Sequence, residues 1–170
     1  MAYKWIGSVL IILGCGGYGF LLSAADRREM ACLRDLIRTL EYVTCELQFR
    51  LSPLPEICTK AGDQISGSIG AVFSSLSEIL NGMIQPDVSA CMDRALAVCP
   101  QLPQSCRTHL SLLGETLGRY DLSGQLQEIA SVRSSCVAAL AELEKGKVQR
   151  MRSYQTLGLC TGAALAILLV

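Results

Sequence analysis

Charged residues are confined to the middle of the chain, and both ends are apolar. Residues 5–25 and 154–170 contain no Asp, Glu, Lys or Arg. The first stretch is 21 residues long, close to the roughly 20 that a helix needs to cross the hydrocarbon core, and the second, with 17, is at the short end of that range. The pattern predicts an N-terminal transmembrane helix in residues 1–25, a middle domain in 26–153 and a C-terminal transmembrane helix in 154–170.

Basic residues flank both spans on the side of the middle domain. Arg27 and Arg28 follow the first span, and four basic residues precede the second: Lys145, Lys147, Arg150 and Arg152. Because cytoplasmic flanks carry an excess of Lys and Arg, we expect the middle domain to lie in the cytoplasm. These six residues form a predicted membrane-proximal basic face. Two roles remain open for it, holding anionic headgroups or only fixing the topology.

Apolar residues in the middle domain recur every three or four positions, which is the spacing of an amphipathic helix. The first stripe runs from Leu33 to Leu51 and ends at the prolines of Ser52–Pro55. Glycine and proline positions divide the rest into five further helices, at about 53–65, 69–81, 86–98 and 103–117, and from 122 into the C-terminal span. No segment shows the alternation of a strand. The sequence predicts an all-α fold, an antiparallel six-helix bundle flanked by N- and C-terminal transmembrane helices.

The helix order also predicts where the turns lie. Short connections favour antiparallel neighbours, so alternate turns collect at the membrane-distal pole: Ser52–Pro55, Gly82–Asp87 and Gly118–Asp121. This pole combines leucines with helix N-termini, and either a partner-docking surface or well-capped turns explains its sequence. The candidate docking residues are Pro53, Leu54, Pro55, Glu56, Gly114, Glu115, Thr116, Leu117, Gly118 and Asp121.

The remaining composition argues against catalysis. Fifteen basic and fifteen acidic residues leave no bulk positive field for binding nucleic acid. The chain has one histidine, His109, and its nine cysteines include no C-x-x-C pair. Residues 14–19 fit G-x-G-x-x-G in letters, but no second strand follows to form a βαβ unit. We therefore expect no catalytic or metal site, no cofactor, and neither a nucleic acid nor a small molecule as partner.

Five segments have an order and spacing that are specific when taken together. They are the glycine-containing first span with its arginines, Arg34–Glu41, Pro53–Glu56, Leu113–Gly118 with Asp121 and Gln125, and the terminal span from Leu157. In these segments the chain resembles the stage III sporulation protein AB family of endospore-forming bacteria. The resemblance implies a cytoplasmic six-helix bundle similar to type II secretion inner-membrane platform proteins. It also adds Gln125 to the candidate docking residues.

The same resemblance implies a location and partners. The location is the mother-cell membrane facing the forespore, in a secretion-like channel complex between the two cells. The partners are the complex's ATPase, stage III sporulation protein AA, and its other membrane subunits, and the role is a scaffold that couples the ATPase to the membrane complex. Two other functions remain open from the residues: an exported helical adaptor, cleaved after a signal peptide near Ser23–Ala25, and a lipid-surface-binding helical protein.

Overall fold

The computed structural model describes the backbone of residues 2–50, 52–82, 87–117 and 121–169, and the side chains of residues 24–50, 52–82, 87–117 and 121–146. Within these ranges the chain is helical and contains no strand. The elements are α1 (Ala2–Cys45), a π-helical turn (Glu46–Arg50), α2 (Leu54–Gln64), α3 (Ser68–Asn81), α4 (Val88–Val98), α5 (Gln104–Thr116) and α6 (Leu122–Leu169). The predicted all-α class and the six helices are confirmed.

The chain divides into two compact units. One is Arg28–Leu140, hereafter the bundle, which lies within the predicted middle domain of residues 26–153. The other consists of Met1–Arg27 and Ala141–Val170. The predicted domain boundaries at residues 25 and 154 fall inside the continuous helices α1 and α6, so no change of secondary structure marks them.

Both predicted spans belong to these long helices. α1 begins at Ala2 and α6 ends at Leu169, and α6 runs on into the C-terminal apolar stretch as the sequence predicts. The side chains of residues 1–23 and 147–170 lie outside the described residues. Among the residues that are described, no helix combines the length and apolar character needed to cross a membrane. The two transmembrane assignments stay predictions.

The bundle has a single core to which all six helices contribute. The apolar stripe of α1 is buried as the sequence predicts, with Leu33, Leu36 and Leu40 fully inaccessible. The other helices add the following large, fully buried side chains: Ile57, Ile69, Phe73, Leu76, Met92, Leu110, Leu113 and Ile129. Burial of one such side chain contributes about 1.5–3 kcal/mol. Because each helix places residues in this shared core, packing of the core also fixes the positions of the turns at the helix ends.

Glycines allow α2 and α3 to pack closely as an antiparallel hairpin. A Cβ at Gly70 would lie 1.7 Å from the carbonyl oxygen of Ile65, and a Cβ at Gly62 would lie 2.9 Å from the backbone nitrogen of Ser74. Gly67, in the turn between these helices, has φ of 102°, a conformation that glycine adopts without steric cost. Gly67 therefore allows the turn between α2 and α3, and Gly62 and Gly70 allow the two helices to approach closely.

Two aspartates begin helices in the bundle. The Asp87 side chain accepts a hydrogen bond from the backbone N–H of Ser89 at 3.2 Å, and the Asp121 side chain accepts one from the N–H of Gly124 at 3.1 Å. Such bonds satisfy donors that a helix N-terminus leaves without intrahelical partners. Asp121 is therefore the N-cap of α6.

The end of α1 differs from the predicted helix. The sequence predicts regular helix up to Ser52, whereas α1 ends at Cys45 and a π-helical turn occupies Glu46–Arg50. Just before this turn, Thr44 donates its hydroxyl to the carbonyl oxygen of Leu40 at 2.7 Å, a local bond that competes with regular backbone pairing. Single π turns are rare and are often found at functional sites.

Candidate protein-docking site

The π-helical turn and the start of α2 present an exposed surface at the predicted distal pole. Phe49, within the turn, is 77% exposed, and Pro53 and Glu56 are exposed just after it. We call these three residues the π-turn surface. Aromatic side chains are over-represented among the residues that dominate protein interfaces. Pro53 and Glu56 are predicted from the sequence as docking residues, whereas Phe49 is not.

Glu46 fixes the turn from its buried side. Its carboxylate is only 7% exposed, lies 3.3 Å from the Arg50 guanidinium and accepts a hydrogen bond from the Ser52 hydroxyl at 3.5 Å. Burial, followed by the charge and the hydrogen bond of Glu46, raises the pKa of Tyr42. A paired, buried carboxylate is costly to displace, so Phe49 is carried on a turn with a defined conformation.

The first turn of α2 is tied to α3. Ser77 donates its hydroxyl to the carbonyl oxygen of Pro55 at 3.1 Å and shares a second hydrogen bond with the Thr59 hydroxyl. Glu56 pairs with Lys60 at 2.7 Å, and this hydrogen bond is the main reason that the pKa of Lys60 is raised. Leu54 and Pro55, both predicted to dock a partner, are half-buried, which leaves Pro53 and Glu56 as the exposed members of this segment.

Most of the second predicted docking segment is packed inside the bundle. Gly114 lies against Met92, where an added Cβ would be 2.6 Å from the Met92 Cβ. The Thr116 hydroxyl donates to the carbonyl oxygen of Leu113 at 3.0 Å, and Leu117 is only 3% exposed. Gly118 lies outside the described residues. Glu115 is the exposed residue of Gly114–Leu117, and it lines a groove between α4 and α5.

The remaining two predicted residues lie at the start of α6. Hydrogen bonds from Ser123 and then from the Gly124 N–H lower the pKa of Asp121, in keeping with its capping role. Gln125 is half-buried, and its backbone N–H donates to the carbonyl oxygen of Asp121 at 2.9 Å. Local geometry thus assigns Asp121 a structural role, while its exposure leaves the carboxylate accessible.

A groove runs between α4 and α5 with a volume of about 450 Å³. We call it the α4–α5 groove, and its lining includes Asp93, Leu96, Arg107, Ser111, Leu112 and Glu115. The Arg107 guanidinium donates to the carbonyl oxygens of Leu96 at 3.1 Å and Cys99 at 3.0 Å, so it caps the C-terminus of α4. Of the residues that line this groove, Glu115 is the one predicted from the sequence as a site residue.

The other sequence candidates give no reactive site within the described residues. His109 Nδ1 lies 2.6 Å from the carbonyl oxygen of Ser105, one turn earlier in the same helix. Among the residues described, no group of three or more His, Cys, Asp or Glu side chains is arranged to hold a metal ion. Of the predicted basic face, Arg27, Arg28 and Lys145 are exposed, and the side chains of Lys147, Arg150 and Arg152 lie outside the described residues.

Of the two surface features that were not predicted, Phe49 leaves a signal in the sequence and the α4–α5 groove does not. Phe49 is one of three phenylalanines, and it falls between the stripe positions Leu47 and Leu51, directly before a proline turn. An aromatic residue at a polar position of a helix is a usable hint of an exposed contact. The groove leaves no such hint, because it depends on how α4 and α5 align side by side.

Comparison with known proteins agrees with this fold. The family model described as stage III sporulation protein AB matches residues 4–170. A solved structure of stage III sporulation protein AB (SpoIIIAB) is similar with a TM-score of 0.65 and 21% identity, over 72% of this chain and 98% of that chain. At this identity the likeness shows the fold alone. No individual curated protein matches the chain. Because the family model covers nearly the whole sequence, the chain belongs to the stage III sporulation protein AB family, and its role is related to sporulation.

Proposed function

We propose that this chain is a membrane-anchored, non-enzymatic platform subunit of the secretion-like channel complex between mother cell and forespore. In this proposal the bundle faces the mother-cell cytoplasm and couples the complex's ATPase, stage III sporulation protein AA, to its membrane subunits. The observation that carries the proposal is Phe49, which is 77% exposed on a turn held by the buried Glu46.

The π-turn surface has the properties of a docking site. Phe49 supplies a large exposed apolar side chain, Pro53 a rigid backbone, and Glu56 an exposed carboxylate that is paired with Lys60. Because the turn is braced by Glu46 and α2 is tied to α3, little conformational freedom remains to be lost on binding. Preorganisation of this kind raises affinity, because binding then orders fewer groups.

The position of the turn also suits a coupling role. It follows directly on α1, the helix that contains the predicted first span at residues 5–25. A partner that contacts Phe49 would therefore act on the end of that helix. The same helix contributes Leu33, Leu36 and Leu40 to the core. A force applied to the turn would therefore be transmitted to the bundle through these contacts.

Co-purification with the ATPase tests this proposal. We expect Phe49→Ala in the full-length chain to lower the affinity for the ATPase by about 30-fold, and so to reduce its recovery from sporulating cells, because truncation of an interface hot spot costs about 2 kcal/mol or more. Val98→Ala is the matched control, since Val98 is 67% exposed at the opposite end of α4 from the pole. Undiminished recovery with Phe49→Ala, or equal losses in both variants, contradicts docking at the π-turn surface.

The proposed topology has its own test. A cysteine introduced at Ala90 in a cysteine-free full-length chain is expected to resist a membrane-impermeant thiol reagent in intact cells and to react after lysis. Labelling in intact cells would place the bundle outside and favour the exported adaptor. The mass of the mature protein separates the two readings as well, because cleavage near Ser23–Ala25 removes the first span.

A further inference from the structure

The α4–α5 groove is open to solvent between two antiparallel helices. Two of its lining side chains are apolar, Leu96 and Leu112. Leu96 is only 3% exposed and forms part of the floor, whereas Leu112 is 46% exposed at the edge. Leu112 therefore offers an exposed apolar contact at the edge of a groove whose other lining side chains are mostly polar. Amphipathic helices bind proteins by laying apolar side chains onto contacts within a groove.

The charged side chains of the groove indicate which class of partner it can bind. Asp93 on α4 and Glu115 on α5 are exposed carboxylates, and neither makes an ion pair within the described part of the chain. The cation of the groove, Arg107, is held by the carbonyl oxygens at the end of α4. The two carboxylates are therefore left to face the solvent and attract positive groups.

We propose that the α4–α5 groove binds a basic amphipathic helix of a protein partner. Its apolar side chains cover Leu112, and its Lys or Arg side chains pair with Asp93 and Glu115. An anionic membrane surface does not fit, because the exposed carboxylates repel its headgroups. This inference goes beyond the proposed function, since the groove is lined by α4 and α5 and not by the π-turn surface. It gives the platform a second, independent contact.

Two synthetic peptides test the charge preference on the purified full-length chain in detergent. One is a fluorescein-labelled amphipathic helix of leucines and lysines, and the other carries glutamates in place of the lysines. In fluorescence anisotropy we expect the wild type to bind the lysine peptide at least tenfold more tightly. Glu115→Lys is expected to weaken that binding, and the double variant Asp93→Lys/Glu115→Lys to prefer the glutamate peptide.

Glu78→Lys is the matched control, because Glu78 is an exposed carboxylate on α3 outside the groove. It makes the same change in net charge as Glu115→Lys and is expected to leave binding unchanged. Equal losses in the two variants, or no preference in the wild type, overturn the inference. So does a fall in the oligomeric mass of the full chain on Asp93→Lys/Glu115→Lys, since it would show a second copy in the groove. Phe49→Ala should leave peptide binding intact, which separates this test from that of the proposed function.

Discussion

Replacing Gly114 with alanine is expected to destabilise the bundle, because α4 and α5 approach closely at this glycine. The added Cβ would lie 2.6 Å from the Cβ and 2.9 Å from the Cγ of Met92. Carbon atoms in favourable contact are about 3.5–4.0 Å apart. A rotation of the Met92 side chain moves the Cγ but not the Cβ, so the two helices have to separate. Overpacking of this kind costs about 1–3 kcal/mol.

The cost translates into a measurable shift in Tm. For a unit of the size of Arg28–Leu140, an unfolding entropy of about 2.1 cal/mol/K per residue makes 1 kcal/mol equivalent to about 4 °C. The expected fall is therefore about 4–13 °C. Gly82→Ala is the matched control, since Gly82 has φ of −83° and its added Cβ would meet nothing closer than the Ile79 carbonyl oxygen at 3.6 Å. That change should be neutral or raise stability by up to about 1 kcal/mol.

Circular dichroism during thermal unfolding of the full-length variants in detergent measures both effects. A Gly114→Ala variant whose Tm equals that of Gly82→Ala, or exceeds that of the wild type, refutes the close approach of α4 and α5. Folded Gly114→Ala protein is also expected to capture the ATPase normally, because Gly114 packs on Met92 inside the bundle. Loss of capture without loss of stability would restore Gly114 as a docking residue.

Two further predictions concern thiols and pH. In native protein at pH 8, a maleimide should modify the exposed Cys45, whereas Cys58 and Cys136, whose pKa values burial raises to about 12 and about 11, should react only on unfolding. Peptide mass spectrometry gives the order in which the cysteines are labelled, and early labelling of Cys58 contradicts the packing of α2. The pKa of Asp121 is lowered below its ordinary 3.8 by hydrogen bonds from the first turn of α6, so its capping contribution is complete above pH 3.8 and is lost as the pH falls through the lower, folded-state pKa. Hydrogen-exchange protection factors in that turn, which correct for the intrinsic pH dependence of exchange, should fall over this acidic range in the wild type but not in Asp121→Asn, and equal pH profiles would refute the cap.

The helices of the bundle could be predicted because their signals are local. The stripe beginning at Leu33 fixes the buried face of α1, and the prolines at 53, 86 and 103 precede new helices. Glycine at 67 marks a turn that requires a positive φ. Each of these signals acts over a few residues, so the pattern of side chains is enough to place the element.

The candidate site could be predicted only in part, because exposure depends on tertiary packing. Gly114, Thr116 and Leu117 carry sequence signals of a turn, yet they lie against α4 or inside the core. The π-helical turn that carries the exposed Phe49 is not indicated by any periodicity. Asp93 and Glu115 line the same groove only because of the register between α4 and α5.

Site-specific photo-crosslinking in sporulating cells tests the central claim most directly. A photoreactive amino acid is placed at position 49 of the full-length chain, and the same amino acid at position 98 is the control. Docking at the π-turn surface predicts an adduct with the sporulation ATPase from position 49 and none from position 98. An ATPase adduct from position 98 alone, or from neither position in a complex that still assembles, would contradict it.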